Sequence, residues 1–181
     1  MRTRQSPFSW YKQLANAVNK LAALSKAHTG ASLLVWDDIF NPAHNGNIPY
    51  YQYWWGGVVS KELNAATANT SRAVEEGLID KSVTFVVWWY KYTGPGSQYS
   101  DIVDDAASYW AGHRYRFWGA PATDVPTVHR WAQQIARAKD GLGTGLMDTD
   151  WGSASWDVEK WVGLPATGGC AWNAASCNST A

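Results

Sequence analysis

Acidic residues follow two apolar, β-type segments of this chain. Asp38 ends the segment SLLVWDD, and Asp148 and Asp150 lie in the segment GTGLMDTDW. Glycosidases use such carboxylates as a general acid and a base or nucleophile, about 5 to 9.5 Å apart across the sugar. Asp150 is followed by tryptophan, and an apolar neighbour favours the protonated carboxyl that a general acid needs. We predict these three aspartates as catalytic, and interpret the acidic pairs at 75–76 and 104–105 as solvated helix faces.

Tryptophan and tyrosine are the second chemical feature of the sequence. The chain has 13 Trp and 9 Tyr but only 4 Phe. An indole or phenol ring combines a flat apolar face with one polar group, which suits a half-wet sugar site. The predicted substrate-binding residues stand at or near the ends of the apolar segments: Trp36, Trp88, Trp89, Tyr90, Trp118, Asp124 and Trp151. The alternative for any single tryptophan among them is that it packs a helix on a sheet.

Helical and β-type patterns alternate along the chain and must position these residues. Apolar residues recur at three- and four-residue steps over 10–26, which is typical of an amphipathic helix. The predicted strands are 32–36, 83–89, 115–118 and 143–147, and the further predicted helices are 61–76, 101–111, 127–139 and 155–162. This order predicts right-handed crossovers and a parallel sheet. All four strand endings would then meet at one carboxyl edge, as an aromatic and acidic rim.

Two parallel architectures are compatible with this order of elements. An open doubly wound sheet usually has a glycine-rich phosphate loop after its first strand, and WDDIF at 36–40 has none. A (β/α)8 barrel places functional groups at its strand ends, but it needs roughly 250 residues and eight strands. The chain has 181 residues. We therefore predict an α/β fold of four parallel βα units, which is half of a (β/α)8 barrel.

The chain is predicted to form one domain over 1–181, with the βα core at 10–164 and a tail at 165–181. Cys170 and Cys177 in the tail permit a small disulfide loop without requiring one. Half a barrel would leave two open strand edges, which proteins in solution pair or cover. We expect a homodimer that rebuilds an eight-stranded barrel, or association with a missing N-terminal half. An open four-stranded sheet that stands alone is the alternative.

Composition argues against several classes of function. The 15 basic and 15 acidic residues balance, and no Lys/Arg cluster indicates a nucleic-acid partner. No run of about 18 apolar residues predicts a membrane span. The 4 histidines form no HExxH or HxH pair, so we expect no metal, and no cofactor is expected either. The N-terminus lacks a continuous apolar signal segment, which favours the cytoplasm, while sequons at 69–71 and 178–180 leave an extracellular location open.

Several segments resemble one enzyme family. These segments are VWDDIF at 35–40, VVWWY at 86–90, FWGAPATDV at 117–125 and VHRWAQQIARAKDGLGTGLMDTDWG at 128–152. Over about residues 10–160 the chain resembles the last four strand units of the glycoside hydrolase family 20-like β-N-acetylhexosaminidases, especially the D-type branch. The resemblance implies a barrel whose terminal strands supply a tryptophan-lined pocket for the terminal sugar.

The resemblance also implies roles for individual residues. Trp88 or Trp89 and Trp151 match the pocket tryptophans, and Asp38 and Asp150 fall near the groups that hold sugar hydroxyls. Catalysis in that family is assisted by the substrate's N-acetyl group and by an Asp-Glu pair, but no HxGxDE string occurs here. The resemblance predicts a glycosidase-like protein acting on glycosides. A non-catalytic carbohydrate-binding protein or truncated barrel remnant is the first alternative, and a module with an aromatic protein-binding patch is the second.

Overall fold

The computed structural model has an α/β fold with a four-stranded, all-parallel sheet. The residues that it describes are 10–42, 70–89, 102–121, 125–147 and 149. The chain divides into two compact units, residues 1–33 with 38–83 and residues 34–37 with 84–181. We call the first the helical unit and the second, which contains the sheet, the sheet unit. The prediction of one domain over 1–181 stays a prediction.

The helical unit is built on helix α1, Trp10–Thr29, and the short helix α2, Arg72–Glu75. The residues that α1 buries are Tyr11, Ala15, Val18 and Ala22. Their spacing places them on one face of the helix. The predicted helix at 10–26 is confirmed and continues to Thr29, but most of the recurring apolar residues that predicted it do not form the buried face, since Trp10, Leu21 and Leu24 are more than half exposed. Gly30, with a φ of 71°, follows it in the left-handed conformation that glycine adopts without strain.

Side-chain contacts join α1 to the chain around α2. The Tyr11 hydroxyl donates to the Glu76 carboxylate at 3.1 Å, and Arg72 donates to the same carboxylate at 2.6 Å. The Arg72 guanidinium also lies 4.5 Å from the centroid of the Tyr11 ring. The hydrogen bond from Arg72 holds the pKa of Glu76 below its usual range. Glu76 therefore accepts hydrogen bonds from a guanidinium and a hydroxyl, whereas the sequence predicted a solvated side chain.

The described residues of the sheet unit form four strands and two crossover helices. The strands are β1, Leu34–Trp36, β2, Thr84–Trp88, β3, Arg116–Ala120, and β4, Gly143–Leu146. Helix α3, Ile102–Gly112, connects β2 to β3, and helix α4, Val125–Arg137, connects β3 to β4. The strands pair in the order β1-β2-β3-β4, and every neighbouring pair is parallel. The predicted strands, their parallel direction and both crossover helices are confirmed.

The register sorts the side chains of the sheet onto two faces. One row of paired residues is Val35, Phe85 and Phe117, and the next row is Trp36, Val86 and Trp118. Successive residues of a strand point to opposite faces, so these rows lie on opposite sides of the sheet. We call the face with Val35, Phe85, Phe117 and Gly119 the helix face, and the face with Trp36, Val86, Trp88, Trp118 and Gly145 the tryptophan face.

Helices α3 and α4 pack on the helix face. Phe85 stacks on Trp110 of α3 with 3.7 Å between ring centroids, and Tyr115 meets both rings edge to face. A Cβ on Gly119 would lie 2.7 Å from the indole of Trp131 of α4, so this indole packs directly on the strand backbone. The fully buried aromatic side chains of this core show 0% exposure: Phe85, Trp110, Tyr115, Phe117 and Trp131.

Parts of the prediction fall on residues outside those described. The predicted helix at 155–162, Cys170, Cys177 and residues 61–69 of the predicted second helix lie there. Within the described part of the chain, no helix is long and apolar enough to cross a lipid bilayer.

Candidate functional site: a tryptophan-lined sheet face

Three predicted substrate-binding tryptophans, Trp36, Trp88 and Trp118, lie on the tryptophan face. Trp36 on β1 and Trp118 on β3 pair with the same residue of β2, Val86, from either side. Neighbouring strands are about 4.8 Å apart, so the two tryptophan backbones are separated by about 10 Å. Trp36 is 37% exposed, while Trp88 and Trp118 are half-buried. The face therefore presents accessible indole surface from two strands, on either side of Val86.

A local irregularity of β4 makes room for Trp118. Phe117 pairs with Gly143 and Trp118 pairs with Gly145, which leaves Thr144 as the extra residue of a β-bulge. The Thr144 hydroxyl donates to the Phe117 carbonyl oxygen at 2.9 Å. A Cβ on Gly145 would lie 3.3 Å from the Trp118 ring, so the indole rests over the bare backbone of β4.

Backbone pairing continues past the strand ends at the carboxyl edge. The Trp89 N–H donates to the Ala120 carbonyl oxygen at 3.3 Å, and the Met147 N–H donates to the Gly119 carbonyl oxygen at 2.8 Å. Thr149 donates its N–H to the Pro121 carbonyl oxygen at 3.2 Å and its hydroxyl to the same oxygen at 3.0 Å. The carboxyl edge is therefore ordered by hydrogen bonds as far as Thr149.

Two neighbouring aspartates follow β1 and differ in their surroundings. Asp37 is 0% exposed and accepts a hydrogen bond of 3.3 Å from Nε1 of Trp110 on the helix-face side. Its backbone N–H donates to the Val86 carbonyl oxygen at 3.1 Å. Asp38, the predicted catalytic residue, is half-buried and belongs to the helical unit. The buried, hydrogen-bonded carboxylate at the end of β1 is therefore Asp37, which the sequence interpretation did not single out.

The neighbouring residues Trp88 and Trp89 also differ. Trp89 is 1% exposed, and its ring lies 6.3 Å from the ring of Trp88 at an interplanar angle of 25°. Trp88 is half-buried and retains accessible surface. Of the pair that the sequence named together, Trp88 thus keeps accessible ring surface, whereas Trp89 lies in the interior.

The remaining predicted site residues lie outside the described residues: Tyr90, Asp124, Asp148, Asp150 and Trp151. Thr149, between two of these aspartates, is described and half-buried. The structure thus brings together Trp36, Trp88 and Trp118, and the carboxylate part of the predicted site stays a prediction. Among the described residues, no group of three or more His, Cys, Asp and Glu side chains is placed to hold a metal ion.

An ion pair between α3 and α4 was missed by the sequence interpretation. Asp104 of α3 accepts hydrogen bonds of 2.7 Å from Nε of Arg130 and from Nε2 of Gln134, both on α4. A second guanidinium nitrogen of Arg130 bonds the other carboxylate oxygen of Asp104. The solvated-face interpretation of Asp104 is wrong, because this side chain is about 70% buried, at 30% exposure, and ties the two crossover helices together. The only local signal was that Arg130 and Gln134 are four residues apart and therefore share a helix face.

Comparisons with protein-family models, with curated proteins and with solved structures find no match to this chain. Inferences about its function therefore depend on its own residues.

Proposed function

We propose that this protein acts on glycosides through the tryptophan face and the carboxyl edge of its parallel sheet. The observation that carries the proposal is the cross-strand row of Trp36, Val86 and Trp118, in which both indoles retain accessible surface. The C–H-rich face of a sugar stacks on an indole, and the indole N–H can bond a hydroxyl. The backbones of Trp36 and Trp118 are about 10 Å apart, a span that suits a ligand of about two sugar rings.

We further propose that the sheet is half of a (β/α)8 barrel. In such barrels the strands follow one another in sequence order, the helices pack on the outer face, and the functional groups stand at the carboxyl ends. The described strands follow this order, and α3 and α4 both pack on the helix face. The tryptophan face would then be the inner face. Since β1 and β4 are the outer strands of the described sheet, a second copy of the chain or an N-terminal half would close the barrel.

Catalysis is assigned in this proposal to Asp38, Asp148 and Asp150, with Asp124 and Tyr90 near the sugar hydroxyls. One carboxylic acid would protonate the glycosidic oxygen as the bond to the anomeric carbon breaks, and a second carboxylate would activate water or attack that carbon. Trp151, which follows Asp150, would contribute a further indole.

A non-catalytic carbohydrate-binding protein is the second candidate, and one observation favours it. Asp37, the fully buried aspartate at the end of β1, lies on the helix-face side and bonds Trp110, so its carboxylate is not available to a sugar on the tryptophan face. Stacking on Trp36 and Trp118 alone can bind a sugar without cleaving it.

Binding is tested by titrating the chain with methyl N-acetyl-β-glucosaminide and following amide chemical shifts. The variants Trp36→Ala and Trp118→Ala should each weaken binding about tenfold, because each loses one stacking surface worth about 1 kcal/mol or more. Trp10→Ala is the matched control, since Trp10 is 58% exposed on α1, outside the tryptophan face. Equal affinity in all three variants would contradict the site.

Turnover is tested separately with a panel of p-nitrophenyl glycosides. An enzyme should release p-nitrophenol. Asp150→Asn should abolish hydrolysis of the matching methyl glycoside, whose alkoxide leaving group needs the general acid, and should reduce release of p-nitrophenol, a good leaving group, far less, while sugar binding is retained. Unchanged hydrolysis of the methyl glycoside would reject the role of Asp150. Sugar binding without release of p-nitrophenol from any glycoside would identify the binding protein, and the mass in solution would show whether two copies associate.

A further inference from the structure

Two described helices end in the same hydrogen-bonded motif, but with different residues at its key position. After α2, Leu78 donates to the Ala73 carbonyl oxygen and Gly77 has a φ of 66°. After α3, Tyr115 donates to the Trp110 carbonyl oxygen and Arg114 has a φ of 59°. This position is usually glycine, because a Cβ disfavours the left-handed backbone. Arg114 therefore adopts a strained conformation that glycine would adopt freely.

The ion pair of Arg114 does not account for that strain. Its guanidinium lies 3.4 Å from the carboxylate of Asp140, but the two side chains are 71% and 61% exposed. Ion pairs at such exposure contribute little to folding stability. Asp140 is the other described non-glycine residue with positive φ, at 59°, in a tight turn that Leu142 closes by donating to the Lys139 carbonyl oxygen. Backbone strain of this kind is concentrated at binding and catalytic sites.

Arg114 and Asp140 border the same groove. The groove has a volume of about 290 Å³ and lies at the carboxyl ends of α3 and α4, opposite the carboxyl edge of the sheet. Its apolar lining is Ala107, Ala111, Ala138 and Leu142, and its polar lining is Ser108, Gln134, Arg114, Arg137, Lys139 and Asp140. Small side chains thus form an apolar surface, and three cations face one carboxylate around it.

The cations of the groove exceed what its single carboxylate can neutralise. Asp140 is paired with Arg114, whereas Arg137 and Lys139 form no ion pair with any residue that the structure describes. The three cations and one carboxylate give a formal excess of two positive charges, part of which offsets the negative carboxyl ends of α3 and α4. A guanidinium binds phosphate oxygens in a bidentate manner, and a lysine ammonium adds a compact charge.

We propose that this groove binds a small organic phosphate monoester, with the phosphate between Arg114, Arg137 and Lys139 and the organic part on the alanine surface. An anion suits the remaining positive charge, and the volume is near the lower end of small-ligand pockets, about 300 Å³. The strained Arg114 places its guanidinium at this groove. The site is separate from the tryptophan face and does not depend on the glycoside proposal.

The probe for this site is phenyl phosphate, added to isotope-labelled protein at low ionic strength and followed by amide chemical shifts. We expect saturable shifts confined to 107–114 and 134–142. Arg137→Ala and Lys139→Ala should each weaken the affinity at least fivefold. Lys20→Ala is the control, because it removes a cation from an exposed position of α1 and should leave the affinity unchanged. Shifts that do not saturate, or equal affinity in all three variants, would overturn the proposal.

Arg114→Gly separates binding from structure at the strained position. Glycine relieves the backbone strain, so the urea midpoint of unfolding should stay the same or rise, while the affinity for phenyl phosphate falls at least fivefold. Replacement by lysine should retain part of the affinity. A lower unfolding midpoint with unchanged affinity would show that Arg114 has a structural role only, and would overturn its role in the site. Benzoate, a monoanion of similar shape, should bind more weakly than phenyl phosphate.

Discussion

On the helix face of the sheet, Trp110 and Trp131 are completely buried, whereas on the tryptophan face Trp36 keeps 37% of its surface exposed. Trp110 stacks on Phe85 and donates its N–H to Asp37, so every part of its ring has a protein partner. Trp36 lies in a row with Val86 and Trp118, and part of its surface is exposed to solvent. The same residue type is thus core on one face and a candidate ligand contact on the other.

A glycine lies beneath one tryptophan on each face, which makes the comparison testable. On the helix face Gly119 lies under Trp131, and a Cβ there would be 2.7 Å from the indole. On the tryptophan face Gly145 lies under Trp118, and a Cβ there would be 3.3 Å from the indole. The first distance is a steric clash, while the second needs a shift of only a few tenths of an ångström.

The largest predicted difference in folding stability is the one between the variants Gly119→Ala and Gly145→Ala. Trp131 is 0% exposed and has no space to move, so Gly119→Ala should lower the free energy of unfolding by about 3 kcal/mol. Gly145→Ala should cost less than about 1 kcal/mol, because the half-buried Trp118 ring can shift. Urea unfolding measures both. Equal losses would show that the two faces are packed alike.

The second prediction compares Trp110→Phe with Trp36→Phe. Trp110→Phe removes the indole N–H that bonds the buried Asp37 carboxylate at 3.3 Å, and should cost about 2 kcal/mol of folding stability. Trp36→Phe changes an exposed ring and should stay within about 0.5 kcal/mol. Thermal unfolding distinguishes them, and a loss at Trp36 as large as that at Trp110 would mean that the tryptophan face is core.

The smallest effects are expected for Trp131→Phe and Trp118→Phe. Nε1 of Trp131 is buried and has no hydrogen-bond partner among the described residues, so phenylalanine loses ring volume but also removes a donor that these residues leave unsatisfied, and should cost about 1 kcal/mol. Trp118→Phe should change folding stability by less than about 0.5 kcal/mol. Its effect should appear in sugar affinity instead. A larger loss of folding stability for Trp118→Phe than for Trp131→Phe would contradict the assignment of the two faces.

The elements of the sheet unit were predictable from sequence because their local signals are strong. The run VTFVVWW is rich in β-branched and aromatic residues, and β2 forms within it. Helical periodicity on either side of β3 predicted α3 and α4 to within two residues at each end. The long separations between strands, each with a helical pattern, are typical of parallel crossovers, and all described strand pairs are parallel.

The sequence predicted less well which face of the sheet each side chain lies on. A shift of one residue in register moves a side chain to the other face, so the sequence could not say which of Trp88 and Trp89 is accessible. In the same way, the sequence could not say which of Asp37 and Asp38 is completely buried. The pair Asp104–Arg130 depends on how α3 and α4 meet in space, which no local pattern encodes. Register and helix contact are decided by packing of the whole unit.

The bulge at Thr144 interrupts the alternation of side chains between the two faces along β4. In a regular strand, residues two positions apart lie on the same side, yet Gly143 pairs with Phe117 and Gly145 pairs with Trp118. If the faces were assigned by strict alternation from Gly143, every later residue of β4 would therefore be placed on the wrong face of the sheet. Deleting Thr144 would leave these pairings in phase and straighten the strand, whereas inserting one residue after Gly145 would invert the sidedness of Leu146 and everything that follows in the ladder. Deleting Thr144 should thus disturb the sheet much less than inserting one residue after Gly145.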